Sequence, residues 1–196
     1  MRSLLKNILI LCFIAMCIVA YEEDKEIYFT TVSLEDDMKY VDSGVVLDYG
    51  VSDLALDRVK EEIQKIPTGL WKQYFYDGGK IKIANEKADN IVGSFSVINE
   101  VDMLITIHED YIEYSLCHEF THYLQYLIDI KSYMGYSSML EEKEEIWREY
   151  MLSNEYFFSE SEYFAEAGKL YLRGEIDPER YPKTIDFFNI IFKKYE

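Results

Sequence analysis

The stretch HEFTH at residues 118–122 stands inside a segment, Tyr111–Ile130, that the sequence predicts to be a long helix. Residues four apart on a helix project from the same face, so His118 and His122 can bind one metal ion. Glu119 then points beside them, toward a water molecule on that ion. A chain of this composition contains such a pattern by chance on the order of 0.004 times. The stretch therefore predicts a metal site, and the alternative is a surface helix with two unpaired histidines.

A catalytic zinc ion needs a third protein ligand and an open position for water. Six residues after His122, where a metzincin has its third histidine, this chain has Ile128, so a carboxylate further along is expected. The glutamate-rich run at residues 141–145 is one source, although such runs usually form a solvated helix face. Glu162 and Glu166 are the other source, because they stand among large apolar residues, where a buried charge needs a partner.

Glu162 also has a purely structural alternative. The sequence Ser159-Glu160-Ser161-Glu162 fits a capping box, in which the glutamate turns back to the start of its own helix. Spacing alone supports the two roles of Glu162 equally.

The motif and the segments that follow it resemble a known family. HEFTH is followed about 40 residues later by SEYFAEAGKLYL and then by YPKTIDFFNIIF. This series is similar to the catalytic domain of anthrax lethal factor and the small secreted Pro-Pro endopeptidases related to it. The resemblance spans about Ile105 to Tyr195 and is weaker over Asp53–Asn99. Many protease families share the pentapeptide, whereas the EYFAEA block and the PKT-plus-aromatics ending are more specific.

The resemblance implies a zinc metalloendopeptidase of the gluzincin type, with Zn²⁺ as cofactor and a protein or peptide as substrate. It implies that His118, His122 and Glu162 bind zinc and that Glu119 is the general base. Glu166 corresponds to a carboxylate that hydrogen-bonds a ligand histidine and fixes its orientation.

A tyrosine that points into the site is also implied, seven residues before the glutamate ligand. That position holds Glu155 here, and Tyr156, one residue away, takes the role if one residue has been deleted. Tyr150 and Tyr163 are the alternatives.

The pattern of strands and helices predicts an α+β fold, with a small mixed sheet first and a mostly helical C-terminal half. The resemblance implies that this fold is zincin-like. The predicted strands are Glu26–Val32, Gly44–Tyr49, Lys80–Ala84, Ile91–Ile98 and Met103–Ile107. The predicted helices are Asp53–Ile66, closed by Pro67 and Gly69, then Tyr111–Ile130, Leu140–Tyr150, Ser159–Arg173 and Thr184–Tyr195.

The overall composition limits the function classes. The chain of 196 residues has 37 acidic against 20 basic residues and a formal charge of −17, which argues against nucleic-acid binding. Hydrophobic residues make up 49%, enough for a packed core. The length predicts one domain, expected to act as a monomer.

The N-terminus predicts a secretory signal. Arg2 and Lys6 precede an apolar run of 13 residues, Ile8–Ala20, and acidic residues follow it. Residues 1–20 are the predicted signal and residues 21–196 the protease domain. The run is shorter than the ~20 residues of a spanning helix, so we expect a secreted protein without stable membrane association. An uncleaved anchor through residues 8–20 is the alternative.

Cleavage of the signal would leave Cys117 as the single cysteine, so no intrachain disulfide is expected. Because neighbouring helix positions face about 100° apart, Cys117 is expected to be buried rather than to bind the metal of His118.

The single-domain format resembles the Pro-Pro endopeptidases more than lethal factor, so proline-rich extracellular or surface proteins are the expected substrates. A strand just upstream of the metal helix can pair with an extended substrate, and Met103–Ile107 is the nearest, with Ile91–Ile98 as the alternative. A non-catalytic zinc module and an acidic surface adhesion protein are the competing functions.

Overall fold

The computed structural model describes residues 34–85, 92–98 and 102–196. The predicted signal segment and the strand predicted at Glu26–Val32 lie outside these residues. Among the described helices, none combines the length and apolar character that crossing a membrane requires.

Four strands form one mixed sheet. They are β1 (Val45–Leu47), β2 (Lys80–Ala84), β3 (Gly93–Ile98) and β4 (Asp102–His108). The order across the sheet is β1-β2-β4-β3, with β1, β2 and β4 parallel and β3 antiparallel to β4. Strand β4, which contains the predicted segment Met103–Ile107, is therefore interior, and β1 and β3 are the two edge strands of the described sheet.

The described residues also form eight helices. They are α1 (Leu34–Gly44), α2 (Ala55–Ile63), α3 (Thr68–Tyr76), α4 (Ile112–Leu127), α5 (Tyr136–Leu140), α6 (Lys143–Glu149), α7 (Glu160–Leu172) and α8 (Pro182–Phe192). Short 3₁₀ turns occupy Glu109–Tyr111, Ile130–Ser132, Glu155–Phe158 and Lys193–Tyr195. All four described strands precede α4, so the predicted α+β arrangement is confirmed.

Two helix predictions need correction. The helix predicted over Asp53–Ile66 ends at Ile63, and α3 follows it, although Pro67 and Gly69 suggested only a termination. Proline suits a helix start equally well, because the first N–H groups of a helix have no partner inside it. The helix predicted over Leu140–Tyr150 begins only at Lys143, as α6, and Leu140 is instead the last residue of a separate short helix, α5.

Helix α4 lies at the centre of the molecule, packed against α2, β3 and α7. The contact with α7 is close, because a Cβ atom at Gly168 would lie 2.6 Å from Cγ2 of Thr121. Helix α4 also contacts β3 and β4 directly, so it lies between the sheet and α7. Elsewhere in the fold, the hydroxyl of Tyr74 joins α3 to the sheet, because it donates to the carbonyl of Lys80 at 2.6 Å and accepts from the N–H of Ile105 at 3.1 Å.

Candidate metal centre

Three donor atoms converge between α4 and α7. Nε2 of His118 lies 3.2 Å and Nε2 of His122 lies 3.4 Å from Oε2 of Glu162. The two Nε2 atoms are 3.1 Å apart. A tetrahedral zinc site with zinc–ligand distances of about 2.0–2.1 Å separates its ligand atoms by about 3.3 Å. Among the described residues, these three side chains form the group that can hold a metal ion, and their spacing fits one.

The start of α7 explains how Glu162 serves this group. The hydroxyl of Ser159 accepts a hydrogen bond from the backbone N–H of Glu162 at 3.2 Å, as a helix cap does. The carboxylate, however, turns toward the imidazoles rather than back to the helix start. The backbone N–H of Glu162 therefore takes part in the helix cap, while its carboxylate belongs to the metal group.

The competing glutamates at residues 141–145 have partners elsewhere. Glu142 accepts hydrogen bonds from the backbone N–H of Thr184 at 2.9 Å and from its hydroxyl at 2.8 Å, so it caps the start of α8. Glu141 forms an ion pair with Lys183. Neither belongs to the group of three donors.

The outer nitrogen of His118 faces Glu166. Its Nδ1 lies 3.0 Å from Oε2 of Glu166, which is 2% exposed, and the other carboxylate oxygen binds Lys169. Burial would raise the pKa of Glu166, but the bond to His118 and the charge of Lys169 hold that pKa below its usual range. An ionised Glu166 accepts a hydrogen bond from the Nδ1–H of His118, which leaves the lone pair of Nε2 free to bind a metal. The structure thus brings Glu166, which the resemblance implies as a partner of a ligand histidine, to the outer nitrogen of His118.

The outer nitrogen of His122 faces a residue that the sequence reasoning missed. Oε1 of Gln125 lies 2.7 Å from Nδ1 of His122. Residues three apart share a helix face, but a glutamine at that spacing is too common to single out.

The carboxylates around the metal group favour a positive charge at its centre. Burial lowers the pKa of His118, but hydrogen bonds to Glu162 and Glu166 outweigh it and raise that pKa to about 9. Burial also raises the pKa of Glu162, but the bonds to His118 and His122 lower it well below its usual range. A proton or a divalent cation can supply the charge that stabilises these groups together.

Glu119 is held by the edge strand. It is 4% exposed, and burial raises its pKa, partly offset by the imidazoles of His118 and His122 and by a hydrogen bond from the backbone of Phe95. A Cβ atom at Gly93 would lie 2.7 Å from Oε1 of Glu119, so a larger residue would force the carboxylate to move. The sequence reasoning missed both strand residues, because their importance arises only from packing β3 against α4.

The structure distinguishes the three candidate tyrosines. Tyr156 lines the cleft beside the metal group, and burial together with the charge of Glu162 raises its pKa to about 12. The hydroxyl of Tyr150 instead accepts a hydrogen bond from the backbone N–H of Asp177 at 3.3 Å. Tyr163 is fully buried. Of the three, the structure places Tyr156 at the site.

Cys117 points away from the metal group. It is fully buried, as predicted, and its thiol donates to Oε1 of Glu62 at 3.4 Å. Burial and the nearby carboxylate of Glu62 raise the pKa of this thiol, which disfavours the thiolate that a metal would need.

The donors open into a cleft of about 510 Å³. The residues that line it are Gly93, Ser94, Phe95, Glu119, His122, Gln125, Tyr126, Tyr156, Ser161 and Glu162. Two of the three donors, His122 and Glu162, therefore face the same cleft as residues of β3 and Tyr156.

Comparisons with known proteins test the fold. No protein-family model matches the sequence, and no curated protein matches it. Among solved structures, the chain is similar to the Pro-Pro endopeptidase PPEP-2 from Paenibacillus alvei, with a TM-score of 0.58 and 19% sequence identity. The match covers 78% of this chain and 100% of that chain. The described chain therefore shares the fold of this Pro-Pro endopeptidase structure, as the sequence resemblance implied.

Proposed function

We propose that this protein is a zinc-dependent endopeptidase of the gluzincin type. The observation that carries the proposal is the convergence of two imidazoles and the carboxylate of Glu162 beside an open cleft, which His122 and Glu162 line. The fold shared with a Pro-Pro endopeptidase supports it. A purely structural zinc site is normally closed by four protein ligands, whereas the group here has three donors and Glu119 beside them.

The donor set determines the chemistry. A zinc ion held by His118, His122 and Glu162 would polarise the scissile carbonyl and acidify a water molecule. Glu119, kept in place by β3, accepts the proton from the attacking water and later delivers it to the leaving amine.

Tyr156 is the proposed donor to the tetrahedral oxyanion. Its side chain is 61% exposed in the cleft and its hydroxyl lies beside Glu162, so it can reach a substrate carbonyl at the metal group. A donor that strengthens its hydrogen bond as charge develops on the oxygen stabilises the transition state more than the substrate.

The substrate is proposed to bind as an added strand along β3. An edge strand offers unpaired backbone groups to an extended peptide. Aromatic side chains of Phe95, Tyr126 and Tyr156 line the same cleft, and aromatic surfaces suit proline-rich segments in extended conformation. Together with the structural neighbour, this supports proline-rich extracellular or surface proteins as substrates.

Residues 1–20 are proposed to direct export of a single protease domain, residues 21–196. Mass determination of the protein recovered from the culture medium tests this. A mature N-terminus near Tyr21 supports it, and a product retained in membranes with residues 8–20 would favour the anchor.

The direct test of the enzyme compares the parent with Glu119→Ala. The variant should keep its zinc but lose about 10²–10⁴ in peptide hydrolysis, because the general base is gone. Hydrolysis of a randomised peptide library by the parent, with product termini sequenced, defines specificity. A variant as active as the parent would refute the role of Glu119, and cleavage indifferent to proline would refute the substrate class.

A further inference from the structure

The two metal-binding histidines are oriented by different kinds of acceptor. Nδ1 of His118 faces the buried carboxylate of Glu166, whereas Nδ1 of His122 faces the neutral amide of Gln125. Gln125 is half-buried and lines the cleft. The resemblance assigns a role to Glu166 but none to Gln125.

The surroundings of Gln125 determine which way its amide points. Its Nε2 lies 3.3 Å from the carbonyl oxygen of Ser161, which can only accept, so Nε2 donates there. Its Oε1 then faces the hydroxyl of Ser161 at 3.2 Å and Nδ1 of His122 at 2.7 Å. Nδ1 of His122 therefore carries its proton, and the lone pair of Nε2 points to the metal group.

The same amide connects the two helices of the centre. His122 and Gln125 belong to α4, whereas Ser161 lies in the first turn of α7, directly before Glu162. Three hydrogen bonds of one side chain therefore join the second ligand to the turn that presents the third. Because the amide is neutral, it does so without adding a further negative charge beside Glu119, Glu162 and Glu166.

We propose that Gln125 is a positioning residue of the metal centre, which holds His122 in its metal-binding tautomer and joins the Glu162 turn to α4. This inference rests on the proposed zinc site and assigns a residue to it.

Zinc affinity, measured on metal-free protein by competition with a chromogenic chelator, tests the inference. Gln125→Ala should weaken zinc binding about 10-fold, the lower end of what losing an outer hydrogen-bond partner costs. Gln73→Ala makes the same truncation on α3, which contributes none of the described cleft-lining residues, and should stay within about twofold of the parent.

Gln125→Glu separates orientation from general packing. It keeps an acceptor for Nδ1 of His122 but loses the donor to Ser161, so zinc affinity should return to within about threefold of the parent. All metal-free variants should unfold cooperatively, which shows that they are folded, and the Gln125 variants should lose only the small stability of their missing hydrogen bonds.

Three outcomes would overturn the inference. One is parent-like affinity in Gln125→Ala, and another is a loss in Gln125→Glu as large as in Gln125→Ala. A parent protein that binds no zinc would overturn both the proposed metal site and this inference, whereas the first two outcomes leave the proposed function standing.

Discussion

The glutamates at residues 141–145 and those at 162 and 166 occupy opposite environments. Glu141 is exposed and paired with Lys183, and Glu142 caps α8. Glu162 and Glu166 face the imidazole of His118, and Glu166 is buried. A glutamate side chain thus caps a helix in one region, whereas in the other region a glutamate side chain offers an oxygen that can bind a metal. The partner in space, rather than the residue type or the distance from HEFTH, makes the difference.

Removing one glutamate from each region is the strongest test of this comparison. Glu162→Ala removes a donor of the metal group, so zinc affinity should fall more than about 100-fold, beyond the usual cost of losing an outer-shell partner. Glu141→Ala is the matched control and should bind zinc like the parent, because Glu141 contacts Lys183 instead. Metal content after equilibrium dialysis measures both. Retention of zinc by Glu162→Ala would disprove the assignment of the third ligand.

The tyrosines allow a second test of position against residue type. Tyr156→Phe should lower turnover about 10²–10³-fold while zinc content stays unchanged, because it removes the proposed oxyanion donor. Tyr150→Phe removes a hydroxyl that accepts from the backbone of Asp177, outside the described cleft lining, so turnover should remain close to the parent. Steady-state kinetics on one peptide separate the two. Equal losses in both variants would argue for a general effect on packing.

The smallest expected effect concerns Glu142. Its carboxylate accepts from the backbone N–H groups of Lys183 and Thr184 at 3.1 and 2.9 Å, which otherwise have no partner inside α8. Glu142→Ala should lower the free energy of unfolding by about 1 kcal/mol, as the loss of a helix cap does. Urea denaturation measures this, with zinc affinity as the companion measurement. A loss of zinc binding without a loss of stability would place Glu142 at the metal group instead.

Local patterns accounted for most elements of the fold. Strand β2 lies where the alternation of Lys80–Ala84 predicts it, and α4 and α7 lie within the predicted helices. Helix α3 was missed, because a proline is typical both of the residues after a helix and of a helix start, and Pro67 stands at the start of α3. Its formation depends on burying Leu70, Trp71 and Tyr74 in the core.

Some residues of the candidate site could be predicted from the sequence, and others could not. His118, Glu119 and His122 follow from the periodicity of one helix, whereas Glu162 was favoured over residues 141–145 by its apolar neighbours in the sequence and by the resemblance, not by spacing. Gly93 and Phe95 act on Glu119 only because β3 packs against α4. A single sequence contains no pattern that links these strand residues to Glu119, because they lie far from it along the chain.

The sequence by itself determined that two imidazoles and a glutamate share one helix, because helical periodicity depends only on residues within a few positions of one another. The tertiary structure decided which carboxylate joins them, which strand forms the edge of the cleft and which amide orients His122. Those choices depend on groups far apart in sequence, such as Glu162, 44 residues from His118, and only the packing of α7 on α4 brings them within hydrogen-bonding distance.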